Sequence, residues 1–178
     1  GDSREGPGCY VSRRDRERRV PVEIDAGGIE ALPLLEIKSI MRGAEGVIAR
    51  GGRTLLCKIL KGSRDKRVLK HALENNPSYG FYRKLGNEEI MARIDWTILH
   101  GYLRLEYFDR LPLLCYTPEG LAIEIDIITD EFRERLRQMA GRPIDLPFFE
   151  SLKDAPRETL WQLLEKIEAT GDPLFIPV

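Results

Sequence analysis

Glycines between Gly51 and Thr117 leave room only for short helices, and the alternating pattern beyond them demands a hairpin. After Gly51-Gly52, Leu55, Leu56, Ile59 and Leu60 recur at helical spacing until Gly62. Ser63 is suited to cap a next helix that turns Val68, Leu69, Ala72 and Leu73 inward and ends at Asn75-Asn76-Pro77. Beyond a loop from Pro77 to Lys84, Asn87 is the expected cap of a third helix, with Ile90, Met91, Ile94, Ile98 and Leu99 on its inner face and Gly101 as its stop. Tyr102 to Tyr107 then alternates as a strand, Phe108-Asp109-Arg110 turns, and Leu111 to Tyr116 returns. The return strand is apolar nearly throughout, so it is expected to be covered on both faces, with Pro112 confining it to an edge.

Three short helices followed by a hairpin describe a winged helix, so the expected fold class is mainly α with a small β-hairpin. A further helix is expected to precede it, since Leu34, Leu35, Ile37, Ile40, Met41, Ala44, Val47 and Ile48 follow helical spacing behind Pro33. Val20 to Ile24 alternates like a short strand. After the hairpin, Thr117-Pro118-Glu119 starts a long helix, whole or broken, to about Met139, and two shorter helices follow around Phe148–Leu152 and Pro156–Ala169. The expected organisation is a flexible basic arm (1–19), a winged-helix domain (20–125) and an acidic helical extension (126–178).

Charge matters by its distribution. The formal net charge is −1, but Arg50 to Lys70 carries eight cations against Asp65 alone, a net +7, while Glu119 to the end carries thirteen acids against seven bases, a net −6. One pole suits a polyanion and the other repels it. With 42% apolar and 32% charged residues, and no apolar run of membrane-spanning length, the chain reads as cytoplasmic, with no membrane partner. Cys9, Cys57 and Cys115 form no paired motif and are expected to be reduced, Cys57 and Cys115 within apolar runs and buried.

Nothing in the spacing suggests catalysis. Gly46 to Thr54 resembles a phosphate-binding loop but lacks the lysine after the second glycine. His71 and His100 have no partner at metal-ligand spacing and read as helix-end residues, and the C-terminal acids fall at solvent-facing helix positions. No catalytic residue, metal or cofactor is expected. Phosphate binding is better supported: Lys61-Gly62-Ser63-Arg64 sets two cations and a hydroxyl at a helix start, and Arg53 and Arg67 extend the basic surface. The alternative is plain capping by Ser63 with solvated cations. The loop Tyr79-Gly80-Phe81-Tyr82-Arg83-Lys84 mixes aromatic faces with cations, a combination that either contacts nucleic acid or covers a small core. Phe108 at the hairpin tip has little of its own domain to pack against. It serves either as a wedge against a terminal base pair or as a contact for the C-terminal helices or a second copy.

These positions also carry a family resemblance. Leu60-Lys61-Gly62-Ser63, Tyr79-Gly80, Ile98-Leu99-His100-Gly101-Tyr102-Leu103 and Leu114-Cys115-Tyr116-Thr117-Pro118-Glu119-Gly120 resemble the RQC domain, the winged helix that follows the helicase core in RecQ-type DNA helicases. The whole chain is similar to the stand-alone bacterial RQC-minor proteins, which lack helicase motors, and that resemblance implies a nucleoid-associated place in a bacterial cell. The resemblance implies that Lys61 and Ser63 contact phosphate, that the Tyr79-Gly80 loop lies along the backbone, and that Tyr107 or Phe108 is the tip aromatic. Tyr82 and Arg83 stand where the helicase pattern has a glycine and a lysine. The expected function is therefore non-enzymatic binding of duplex or forked DNA, in a DNA-repair or helicase-associated setting. RNA stays open as a ligand. A dimeric winged-helix transcription regulator and a protein-interaction adaptor are the alternatives, with the C-terminal helices as homodimer or partner surface.

Overall fold

The computed structural model describes residues 19–139 and 145–171. Apart from Arg19, the expected basic arm lies outside the described residues, as does Cys9. The described residues form seven α-helices and one hairpin: α1 (Leu34–Ala44), α2 (Arg53–Lys61), α3 (Lys66–Lys70), a 3₁₀ turn (Leu73–Asn75), α4 (Asn87–Leu99), β1 (Leu103–Phe108), β2 (Leu111–Tyr116), α5 (Pro118–Met139), α6 (Leu146–Lys153) and α7 (Arg157–Thr170). This is a mainly helical winged helix whose wing is the β1–β2 hairpin.

The core is built by the inner faces of α1, α2 and α4: Ile40, Met41, Ala44, Leu56, Ile59, Leu60, Ile90 and Ile94 are all fully buried. Pro33 is the N-cap of α1, just outside the helix where its missing N–H costs nothing. Leu34 and Leu35, expected inside, are exposed in the first turn. The helix ends at Ala44 rather than running to Ile48, because the chain is drawn to the wing. Ala49 takes a positive φ of 57°, its N–H donates to the Leu114 carbonyl at 2.9 Å, and the Leu114 N–H donates to the Gly51 carbonyl at 2.9 Å.

Gly62 ends α2 in the left-handed region (φ 76°), and a Cβ there would sit 3.0 Å from Gly80 Cα, so both the turn and the close approach require glycine. Ser63 is not the cap of the next helix. Asp65 is: its carboxylate accepts from the Arg67 N–H at 2.9 Å and from Lys58 Nζ at 2.8 Å, which holds it below the usual carboxylate range. A charged acceptor with a cation beside it outcompetes a hydroxyl. The expected single helix to Asn75 is two pieces, because Ala72 turns left-handed (φ 52°). Val68 and Leu73 point inward, while Leu69 and Ala72 are exposed.

Gly86, not Asn87, caps α4, where the Glu89 carboxylate accepts from the Gly86 N–H at 2.7 Å. Ile90, Ile94 and Thr97 set the inner face, so Leu99 falls on the far side and is exposed. His71 and His100 both follow the last helical residue of their helices, and His100 stacks on Trp96 at 3.7 Å.

In the wing, Leu103, Leu105 and Tyr107 pair with Tyr116, Leu114 and Pro112 on the inner face, while Arg104, Glu106 and Phe108 pair with Cys115, Leu113 and Leu111 on the outer one. The expectation that the return strand is covered on both faces is wrong: only Leu114 is buried. The helices cover one face of a two-stranded sheet, and Cys115 is accordingly only half-buried, whereas Cys57 is buried. Residues 20–24 form no strand. They lie as a strap against the wing, with the Val20 N–H donating to the Arg110 carbonyl and Tyr107 Oη donating to the Val20 carbonyl at 3.0 Å.

Thr117 caps α5 by accepting from the Gly120 N–H at 3.0 Å, and the helix runs unbroken through residues 125 and 126 to Met139. It packs on α1 and on α7. Ion pairs fasten these seams: Lys38 with Asp126 at 3.1 Å, Arg42 with Glu131 at 2.9 Å, and Lys166 with Asp126 and Asp130 at 2.7 and 2.8 Å. One C-terminal acid departs from the expected solvent-facing placement. Glu124 is buried against α1, 3.4 Å from Arg42, and burial pushes its carboxyl up to about 7.

Candidate nucleic-acid interface

The predicted contact residues divide into cations spent inside the fold and cations left free. Arg53, at the start of α2, forms a close ion pair with Asp95 of α4, which is 3% exposed and also accepts from the Asp25 N–H at 3.0 Å. Its role in the fold is to neutralise a buried carboxylate. Lys61 Nζ donates to the Arg83 carbonyl at 3.0 Å and to the Leu85 carbonyl, tying the end of α2 to the loop before α4. Ser63 is also engaged, its Oγ accepting from the Asp65 N–H and its carbonyl from Tyr79 Oη at 3.1 Å.

Arg64, Lys66, Arg67, Lys70 and Lys84 are different. All five side chains are exposed, and none has a hydrogen-bond or ion-pair partner among the described residues. Arg50, in the turn before α2, shares that condition. Together they form a basic surface around α3 and the ends of α2. Sequence reasoning placed Arg50, Lys66 and Lys70 in the basic run but not among the contacts; the missing signal was the set of partners, distant in the chain, that occupy Arg53 and Lys61.

The Tyr79 to Lys84 loop covers the core with one aromatic and leaves another in solvent. Tyr82 is buried with its hydroxyl donating to Glu36 at 2.6 Å, burial and that hydrogen bond raising its pKa, while Phe81 is exposed. Arg83 lies over the glycines of the Gly62 and Gly80 turns: a Cβ on Gly80 would be 2.9 Å from Arg83 Nη2. Its guanidinium therefore stands beside the Leu60-to-Ser63 step.

At the wing, the two aromatics part company. Tyr107 faces inward, held by Val20 and with the Arg19 guanidinium 4.9 Å over its ring. Phe108 faces out and is 78% exposed, and its cross-strand partner Leu111 is 63% exposed. Asp109 (φ 55°) and Arg110 form the two-residue turn between them. The C-terminal helices leave the tip uncovered. Leu111 was missed because the sequence reading set Phe108 inside the turn, where it has no cross-strand partner, whereas Phe108 is the last residue of β1 and pairs with Leu111.

Among the described residues no group of His, Cys, Asp and Glu could hold a metal ion, and no helix is long and apolar enough to cross a membrane. No curated protein and no solved structure matches the chain. The family model described as the RQC domain matches residues 35–139, from the first turn of α1 to the end of α5. The chain belongs to the RQC-domain family, the DNA-binding winged helix of RecQ-type helicases.

Proposed function

We propose that this protein binds duplex DNA at ends and forks, without chemistry of its own, through phosphate contacts from the basic surface and an apolar wing tip placed against the terminal base pair. The observation that carries this reading is the Phe108–Leu111 pair, two large apolar side chains left in solvent at the end of a hairpin. Beside it stand cations with no internal partner, which suit a polyanion whose counterions are released on binding. Phosphate contacts position the duplex and the tip confers preference for an end. The contact set differs from the one the family resemblance implies: Arg64, Lys66, Arg67, Lys70, Arg83 and Lys84 meet phosphate, while Arg53 and Lys61 hold the surface in shape.

A fluorescence titration of blunt duplex, forked DNA, single strand and double-stranded RNA across a salt series tests it. The expected order is fork and duplex end ahead of single strand and RNA, with affinity falling steeply as salt rises. Absence of duplex and fork binding at low salt overturns the reading.

A further inference from the structure

Behind the wing tip lies a cavity of about 470 Å³, a size that suits a small ligand. It is a half-open cleft bordered by the strap, by the turn leading into α2, and by the edge of β2. Its lining includes the apolar Val20, Val22, Leu111 and Pro112. It also includes Arg50 and Arg67, both exposed and neither with a hydrogen-bond or ion-pair partner among the described residues. Arg53 also borders the cavity but is committed to Asp95. Glu23, on the strap, is the one carboxylate among the described residues that line it. Leu111 belongs both to the cavity wall and to the exposed tip, so the cavity begins where the tip ends.

We propose that this cavity receives one unpaired terminal nucleotide of a DNA strand turned aside at the wing tip. Arg50 and Arg67 hold the phosphate, and the sugar and base lie against Val20, Val22, Leu111 and Pro112. The chemistry fits because a single nucleotide is the smallest unit that joins a dianionic or monoanionic group to a flat apolar face, and the lining supplies both cations and apolar side chains. The inference rests on the end-binding reading and adds what happens to the strand after the tip.

The test uses the full chain and a duplex labelled with fluorescein at its far end. The near end is blunt, or carries one unpaired nucleotide at its 5′ terminus, or one at its 3′ terminus. One of the two overhangs is expected to bind at least fivefold more tightly than the blunt end, and which one does so gives the strand polarity. Thr54→Trp narrows the cavity at an exposed helix position without changing charge, and is expected to bring the overhang back to the blunt value while leaving blunt-duplex affinity and thermal midpoint in place. Glu23→Gln is expected to tighten overhang binding. Equal affinity for all three ends, or an overhang preference that survives Thr54→Trp, overturns the cavity proposal alone. Failure to bind any of the duplexes overturns the end-binding reading and this proposal with it.

Discussion

At the scale of single residues, burial decides which charges are available. Glu124 has one carboxylate oxygen without a partner and the other 3.4 Å from an arginine that is already paired with Glu131 and Glu45. Its folded-state pKa of about 7 lies above the 4.5 of the free group, so the folded chain retains a proton that the unfolded chain releases in that window. Stability therefore falls as pH rises from about 4.5 to 7. Glu124→Gln is expected to remove this slope and to stabilise the fold at pH 8 by up to about 3 kcal/mol, read from urea unfolding at pH 5 and pH 8; a slope unchanged in the variant contradicts the assignment. Arg53 gives the opposite case. Arg53→Ala leaves Asp95 buried with only a backbone N–H for company and is expected to cost about 3 kcal/mol, whereas Arg67→Ala, an exposed cation, is expected to change the unfolding free energy by less than about 0.5 kcal/mol. Equal costs would show that Arg53 is not structural. Neither role was legible in the sequence, because the partners that occupy Arg53 and Lys61 stand 42 and 22 to 24 positions away in the chain.

At the scale of elements, local pattern was readable and its termination was not. Alternation from Tyr102 to Tyr107 and the glycine after α4 were enough to place the wing, since both are signals within a few residues. The breaks at Ala49 and Ala72 were invisible, because each is a non-glycine residue at positive φ, a conformation that its own side chain does not announce. The wing also shows why Tyr107 and Phe108 cannot share one role. Strand alternation sends them to opposite faces, and the strap occupies the inner one. Phe108→Ala is expected to reduce preference for forks and duplex ends over the interior of a long duplex by about tenfold, or roughly 1.4 kcal/mol, while phosphate-driven affinity for that interior stays nearly constant. Leu111→Ala is expected to act in the same direction with a smaller effect. Competition between a forked oligonucleotide and circular duplex measures it, and equal loss on both ligands contradicts the wedge.

For the whole molecule, the net charge of −1 hides an arrangement in which acids are matched to cations away from the basic surface. Lys38, Arg42 and Lys166 neutralise Asp126, Asp130 and Glu131 along the α1–α5–α7 seam, so the acidic C-terminal half is fastened to the core by the cations of that seam. The cations of α3 are then free to face solvent, and binding depends on their local density instead of on the total. Arg64, Lys66 and Lys70 are exposed side chains that the fold does not use, so changing all three to Gln is expected to leave the thermal midpoint unaltered. Each lost phosphate contact removes about 0.9 from the slope of log affinity against log salt concentration, so the triple variant's slope should be shallower by about 2 to 3. Neutralising Glu158 and Glu165 on the exposed side of α7 should leave the slope where it was, because those acids lie in the helical extension and meet no phosphate. A triple variant with the parent slope would mean that the duplex lies elsewhere on the molecule. A change of similar size from the α7 variant would mean that total charge, not its placement, governs binding.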